Sequence, residues 1–464
     1  MLQGAKFKDI GTFLTGIPTI RGAGLSNCSR TPQARMHRYI LAVLFAAVSA
    51  STAVSQASPL DSTEVRRWRE DLVVLRREMP AHHANLFHAM TRAQFDSALN
   101  SIDAQLPTRA RHQVIVELQK LAAVIGDGHS NVGPWRDSAI AFHTLPVALY
   151  WFTEGIIVRA ADSAHASLVG ARVVAINGVP VDSVTARIRP LISHDNDMGV
   201  RAFTPFFVVM PEILQATGIA SVMQRIRFTL ESAGRRRDVV LEPSGLFPML
   251  IGDIDRSWLK RPGWVDARDR APTPLWLSDP LNLYWYKYLP ETRTLYTQIN
   301  TIQQKPTDSL RAFITRAIAA ADSAGAAKFV LDLRLNGGGN GDFNRQIFLP
   351  LIKSRYDVPG RLYVLTGRRT WSAAQMLVTE MQKYTTAIFA GEPTASKGNA
   401  FGDSYRIVMP NSKVTVRVST LWWQYLDPRD KREMIEPAIK APLSFADYSA
   451  GKDAALDAVI AAHK

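Results

Sequence analysis

Phe329-Val330-Leu331-Asp332-Leu333, running into Arg334-Leu335-Asn336-Gly337-Gly338-Gly339-Asn340, is the stretch that decides the fold of this chain. A short apolar run that opens into a glycine-rich turn reads as a buried strand delivering its backbone to a loop. Such a turn exposes N–H groups that can hold an oxyanion, because glycine lets the backbone come close to a ligand. Further on stand Thr370-Trp371-Ser372-Ala373-Ala374-Gln375 and then Gly391-Glu392-Pro393-Thr394-Ala395-Ser396-Lys397-Gly398. A serine before two alanines suits a nucleophile at the start of a helix, where the first N–H groups have no intrahelical partner. A lysine in a short Gly/Thr/Ser loop could serve as its base. Together these pieces read as a serine hydrolase, and first of all as a protease.

Working outward, the chain from 283 onward alternates strands and helices. Strands are expected at Leu295–Ile299, Phe329–Leu333, Leu362–Thr366, Ile388–Ala390 and Val414–Leu421, with helices at Ser309–Ala321 and Ala373–Met381. That alternation predicts an α/β domain. Residues 61–132 read as helical instead. Val65, Trp68, Leu72, Leu75 and Met79 form one apolar stripe, with Asp61 and Ser62 as caps and Pro80 as the stop. A second helix carrying Val114, Leu118, Leu121 and Ile125 ends at Gly126-Asp127-Gly128-His129-Ser130, which holds His129 at its C-terminal edge. Residues 143–245 read as short strands and turns. Asn177-Gly178 is a hairpin signal, and a short helix is expected over Val184–Ile192. Residues 246–282, rich in Pro, Gly and Trp, read as a linker.

At 464 residues and 47% apolar, the chain has the material for two or three domains. Its formal charge is +14, and no basic helix with interleaved aromatics appears, which argues against a nucleic-acid partner. Residues 36–57 have the form of an export signal. Met36-His37-Arg38 gives the positive start, Ile40 to Val48 the apolar core, and Ser55-Gln56-Ala57 a small-residue cleavage site. This makes Met36 the expected initiator and residues 1–57 an upstream extension plus signal peptide. The apolar core is too short for stable membrane insertion, so a periplasmic or secreted protein is expected. Cys28, the single cysteine, lies upstream of that signal, so the exported chain would contain neither disulfides nor a catalytic thiol.

Four motifs, Asp127-Gly128-His129-Ser130, Leu331-Asp332-Leu333-Arg334-x-Asn336-Gly337-Gly338-Gly339, Ser372-Ala373-Ala374 and Gly391-Glu392-Pro393-Thr394, occur in one order over roughly 60–461. In that combination the chain resembles the tail-specific (C-terminal processing) serine proteases, peptidase family S41, and is closer to their tricorn-like branch. The resemblance implies an N-terminal helical region (58–135), an inserted PDZ-like β-rich module (143–245) that captures substrate chain ends, and a crotonase/ClpP-like α/β protease core (283–464). It further implies that Ser372 is the nucleophile and that the backbone N–H groups of Gly338 or Gly339, with Ala373, form the oxyanion hole.

The base has two candidates. Processing proteases of the family place a dyad lysine in the loop written here Thr394-Ala395-Ser396-Lys397-Gly398. The tricorn-like branch uses the histidine of Asp-Gly-His, here His129. Lysine must be desolvated before it can act as a base near neutrality, whereas imidazole titrates there unaided, which favours His129. Ser130 would support the histidine, and one of Asp427, Asp430, Glu433 or Glu436 would orient it. Gln375 stands where relatives often carry Glu. Plainer readings exist for each residue: a helix-capping serine, a helix-terminal histidine, a loop lysine.

No metal or cofactor is expected. His82, His83 and His88 lack the glutamate of a His-Glu-x-x-His site, and Gly337–Gly341 lacks the Lys-Ser/Thr of a phosphate loop. Polypeptide substrates are the expected partners, and the oligomeric state is left open. The rival reading is a non-catalytic ligand- or peptide-binding protein on the same fold, as in the family's retinoid-binding relatives.

Overall fold

The computed structural model describes residues 58–133, 137–247 and 258–462. The export segment and Cys28 lie outside the described residues. Helix α1 (Ser62–His82) begins where Asp61 accepts the N–H groups of Thr63 and Glu64, and Glu64 returns a bond to the Asp61 N–H. Its stripe Val65, Trp68, Leu72, Leu75 and Met79 is buried as the spacing predicts. Pro80 does not end the helix but sits in its last turn. The turn still closes because the His83 N–H reaches the Met79 carbonyl. Helices α2 (Arg92–Gln105) and α3 (Arg111–Val124) complete this region.

Next comes an antiparallel sheet of β1 (Val147–Phe152), β2 (Gly155–Asp162) and β3 (Arg172–Ile176). Asn177, with φ +48°, and Gly178, with φ +81°, make the expected tight turn after β3. Helix α4 spans Val181–Ile188, starting earlier than expected. The following stretch is helical rather than extended, with α5 (Asp197–Phe207) and α6 (Pro211–Ala216) preceding β4 (Ile226–Ser232) and β5 (Arg235–Leu241). Strand order is β1-β2-β3-β4-β5. Part of the expected linker also joins this sheet, as β6 (Trp264–Asp266) pairs with β2.

The second large sheet is built from β7 (Tyr284–Leu289), β8 (Thr294–Ile299), α7 (Leu310–Ser323), β9 (Lys328–Asp332), α8 (Asn344–Ile352), β10 (Leu362–Thr366), α9 (Ala373–Tyr384) and β11 (Ile388–Gly391). Four short strands follow: β12 (Asn399–Gly402), β13 (Tyr405–Val408), β14 (Thr415–Val418) and β15 (Leu421–Gln424). The expected single strand at 414–421 is thus two, broken at Ser419-Thr420; β14 pairs with β13 and β15 with β12. Last come β16 (Ile439–Lys440) and α10 (Ala454–Ala461). The sheet runs β7-β8-β9-β10-β11-β16, parallel except for β7.

Alternation along the strands divides its two faces. Leu295, Phe329, Leu331, Leu362 and Val364 pack against α7, α8 and α9, while Tyr296, Val330, Tyr363 and Leu365 meet Ala455, Leu456 and Val459 of α10. Each such side chain contributes about 1.5–3 kcal/mol by leaving water. A sheet buried on both faces needs continuously apolar strands, which is why Phe329–Leu331 reads as an unbroken run. Its C-terminal strand ends present the Gly337–Gly339 turn and the loop that carries Ser372.

Candidate active site

The glycine turn is fixed before any substrate arrives. Asp332, buried at the end of β9, takes the Arg334 guanidinium at 2.6 Å, and Arg334 also bridges to Asp453 at the start of α10. Although burial opposes its charge, the two carboxylates hold Arg334 well above the ordinary arginine value. Asn336 then orders the turn itself: its Nδ2 donates to the Ile299 carbonyl and its Oδ1 accepts the Gly338 N–H at 2.9 Å. Gly338 lies at φ +112°. A Cβ there would stand 2.7 Å from Ser372 Cβ and 3.2 Å from both Ser372 Oγ and Ala373 N, so glycine is required for this approach.

Ser372 sits just before α9 with φ +55° and ψ −127°, a region that an L side chain occupies at a cost of about 1–3 kcal/mol. Its Oγ lies 3.0 Å from His129 Nε2, so residues 243 positions apart meet here. The His129 ring stacks on Trp371, with centroids 4.0 Å apart and planes at 16°. Of the expected oxyanion donors, Ala373 N lies 3.2 Å from where a Cβ on Gly338 would stand. The Gly338 N–H is already held by Asn336, so Gly339 is the turn residue suited to be the second donor.

The loop bearing His129 is gripped by two buried carboxylates. Asp127 accepts the N–H groups of His129 (2.9 Å) and Ser130 (2.6 Å), the Ser419 hydroxyl (2.6 Å) and the His83 ring at 3.0 Å. Burial alone would raise its pKa, but the hydrogen bonds from His83, Ser419 and Ser130 hold it at about 2. Asp195, from the segment leading into α5, accepts the Gly128 N–H (2.9 Å) and the Ser396 hydroxyl (2.8 Å). Burial pushes its carboxyl up, opposed first by the charge of His129 and then by those two hydrogen bonds. The Ser372 N–H points to Ser396 Oγ at 3.5 Å.

Several expected residues stand elsewhere. Lys397 directs its ammonium to Glu433 at 3.6 Å, not to Ser372. Ser130 bonds through its hydroxyl to Ser419 rather than to the His129 ring. Asp427, Asp430 and Glu436 pair with Arg429, Arg432 and Lys440 in solvent, each with a basic residue close by in sequence. Sequence reasoning missed Asp195 and Ser396. The first lay in a module read as substrate-binding, and the second stood beside the lysine that drew the attention.

No family model and no curated protein matches the chain. Solved structures do. A serine-to-alanine mutant of CPAF superposes with a TM-score of 0.60 at 13% identity, covering 84% of this chain and 96% of that one. Mature CPAF complexed with lactacystin gives 0.57 at 13% identity, over 84% and 97%. The photosystem II D1 C-terminal processing protease also matches, with a TM-score of 0.34 at 14% identity over 83% and 98%. This chain has a mixed α/β fold with several sheets, similar to that of CPAF.

Proposed function

We propose that this chain is an exported serine peptidase that hydrolyses peptide bonds of polypeptides. The observation that carries the reading is the 3.0 Å approach of His129 Nε2 to Ser372 Oγ, with Ser372 in a strained backbone conformation beside Gly338. In this reading His129 takes the hydroxyl proton as Oγ attacks the scissile carbonyl carbon. The tetrahedral oxyanion then lies against the N–H groups of Ala373 and Gly339, each worth about 3 kcal/mol to the transition state. His129 passes the proton to the departing amine. Water, deprotonated by the same ring, releases the acyl group and restores the serine hydroxyl.

Asp195 takes the part of the acid that favours the imidazolium, as their mutual electrostatic interaction supports. Lys397 takes no part in this reading, its ammonium being turned to Glu433. The sheet with α7–α10 acts as the crotonase/ClpP-like core. The β1–β5 sheet acts as the PDZ-like module that takes up substrate. Casein hydrolysis by Ser372→Ala, His129→Ala and Lys397→Ala tests the reading: the first two variants should be inactive and the third near wild type. A folded wild-type protein that cleaves no polypeptide and whose Ser372 takes no fluorophosphonate would instead support a binding protein.

A further inference from the structure

Helix α1 is tied to the loop that bears His129 by the side chain that follows its last residue. His83 follows the last residue of α1, and its side chain is fully buried. Its Nδ1 accepts the backbone N–H of Asn85 at 2.9 Å, so the ring proton must sit on Nε2, which faces Asp127 Oδ2 at 3.0 Å. The other carboxylate oxygen of Asp127 holds the backbone of His129 and Ser130. The same carboxylate takes the Ser419 hydroxyl, while the Ser419 carbonyl accepts the Ala84 N–H at 2.9 Å. The end of α1, the Asp127–Ser130 loop and the turn after β14 thus close on a single carboxylate. The other end of this arrangement is also tied, because Asp71 of α1 accepts the N–H groups of Asn411 and Ser412 in the β13–β14 turn.

We propose that His83 is a positioning residue for the base: by donating to Asp127 it fixes the backbone from which His129 reaches Ser372. The proposal rests on the peptidase reading above. It gives the end of helix α1 a part in placing the base, through a contact 44 residues apart in sequence. The depressed pKa of Asp127 agrees, since the His83 bond is the largest of the contributions that lower it. The other titratable groups around this carboxylate are His129 on its own loop, Asp195 across the loop, and His88, whose ring stacks on His83 at 5.9 Å.

Two substitutions separate the halves of the His83 contact. In His83→Asn the amide can still meet the Asn85 N–H but is too short for Asp127. In His83→Gln the amide nitrogen reaches the place of Nε2. With a fluorogenic peptide as substrate, His83→Asn should lose about 30-fold in kcat with KM within about twofold, the scale expected of a misplaced catalytic group. Its acid-unfolding limb, followed by near-UV circular dichroism, should also move to higher pH, because Asp127 then has one donor fewer and its folded carboxylate protonates more readily. His83→Gln should stay within about threefold of wild type with the limb in place.

Equal losses in the two variants, no loss in either, or an unmoved acid-unfolding limb in His83→Asn would overturn the proposal. If near-UV circular dichroism shows His83→Asn unfolded, Ser419→Ala replaces it. That variant should move the limb the same way, and an unmoved limb counts against the proposal. An inactive wild-type protein whose Ser372 takes no fluorophosphonate overturns the peptidase reading and the positioning role together. An active wild type with indistinguishable Asn and Gln variants overturns the positioning role alone.

Discussion

Asp127 and Asp427 are both held at a pKa of about 2, yet they sit in opposite surroundings. Asp127 is buried, and of its four donors two come from elsewhere in the fold and two from the loop it shapes. Asp427 stands in water against Arg429, two residues on, whose side chain is 90% exposed. Water and salt already satisfy the second pair, and such pairs contribute little to stability. Removing the first leaves buried donors without an acceptor. A depressed pKa therefore marks an important acid only where burial has made the compensation necessary, and the acids gathered at 427–436 had drawn the eye for the wrong reason.

The largest effect that would sharpen this contrast lies at the nucleophile served by the buried loop. Ser372→Ala should lower kcat by at least about 10⁴-fold, as loss of a nucleophile does in other serine peptidases, without changing the fold. Gly338→Ala should cost about 10²–10³-fold, since its Cβ would displace Ser372 from the 2.7 Å approach. Its circular dichroism should remain native, because the conflict is local to the site. An active Gly338→Ala protein would mean that the turn does not serve Ser372.

Asp195→Asn should lower kcat about 10²-fold at neutral pH, reflecting the lost charge beside the imidazolium. It should also carry the acid limb of kcat/KM to lower pH, because that negative charge no longer favours protonated His129. A limb that stays in place would assign Asp195 a purely structural part.

Asp127→Asn should cost about 2.5 kcal/mol of unfolding free energy at pH 7, the value of a shift from 3.8 to about 2. Because the folded pKa is the depressed one, that contribution is present in full above the unfolded value near 4. It should fade as pH falls towards 2, so wild type and variant converge in acid. Asp427→Asn should leave the urea midpoint where it was. A comparable loss at both positions would erase the distinction between the two acids.

Local pattern carried the core of the site into view. Ser372, His129 and the Gly337–Gly339 turn were legible because each borders an element whose period is clear: α9, α3 and β9. The alternating strands and helices from 295 to 391 were legible for the same reason. Asp195 was not, because its partners Gly128 and Ser396 are 67 and 201 residues away, and its neighbours Asn196 and Asp197 read simply as the start of a helix. The loop at 394–398 drew attention for its lysine, yet Ser396 is the residue that touches both Asp195 and the Ser372 N–H. Strand β6 was hidden among prolines and tryptophans that read as linker.

The central claim is that His129, and not Lys397, activates Ser372. The rate at which a fluorophosphonate modifies Ser372, followed by mass spectrometry in wild type, His129→Ala and Lys397→Ala, tests it most directly. The account predicts equal labelling of wild type and Lys397→Ala and essentially none of His129→Ala. Labelling that survives in His129→Ala and disappears in Lys397→Ala would contradict it.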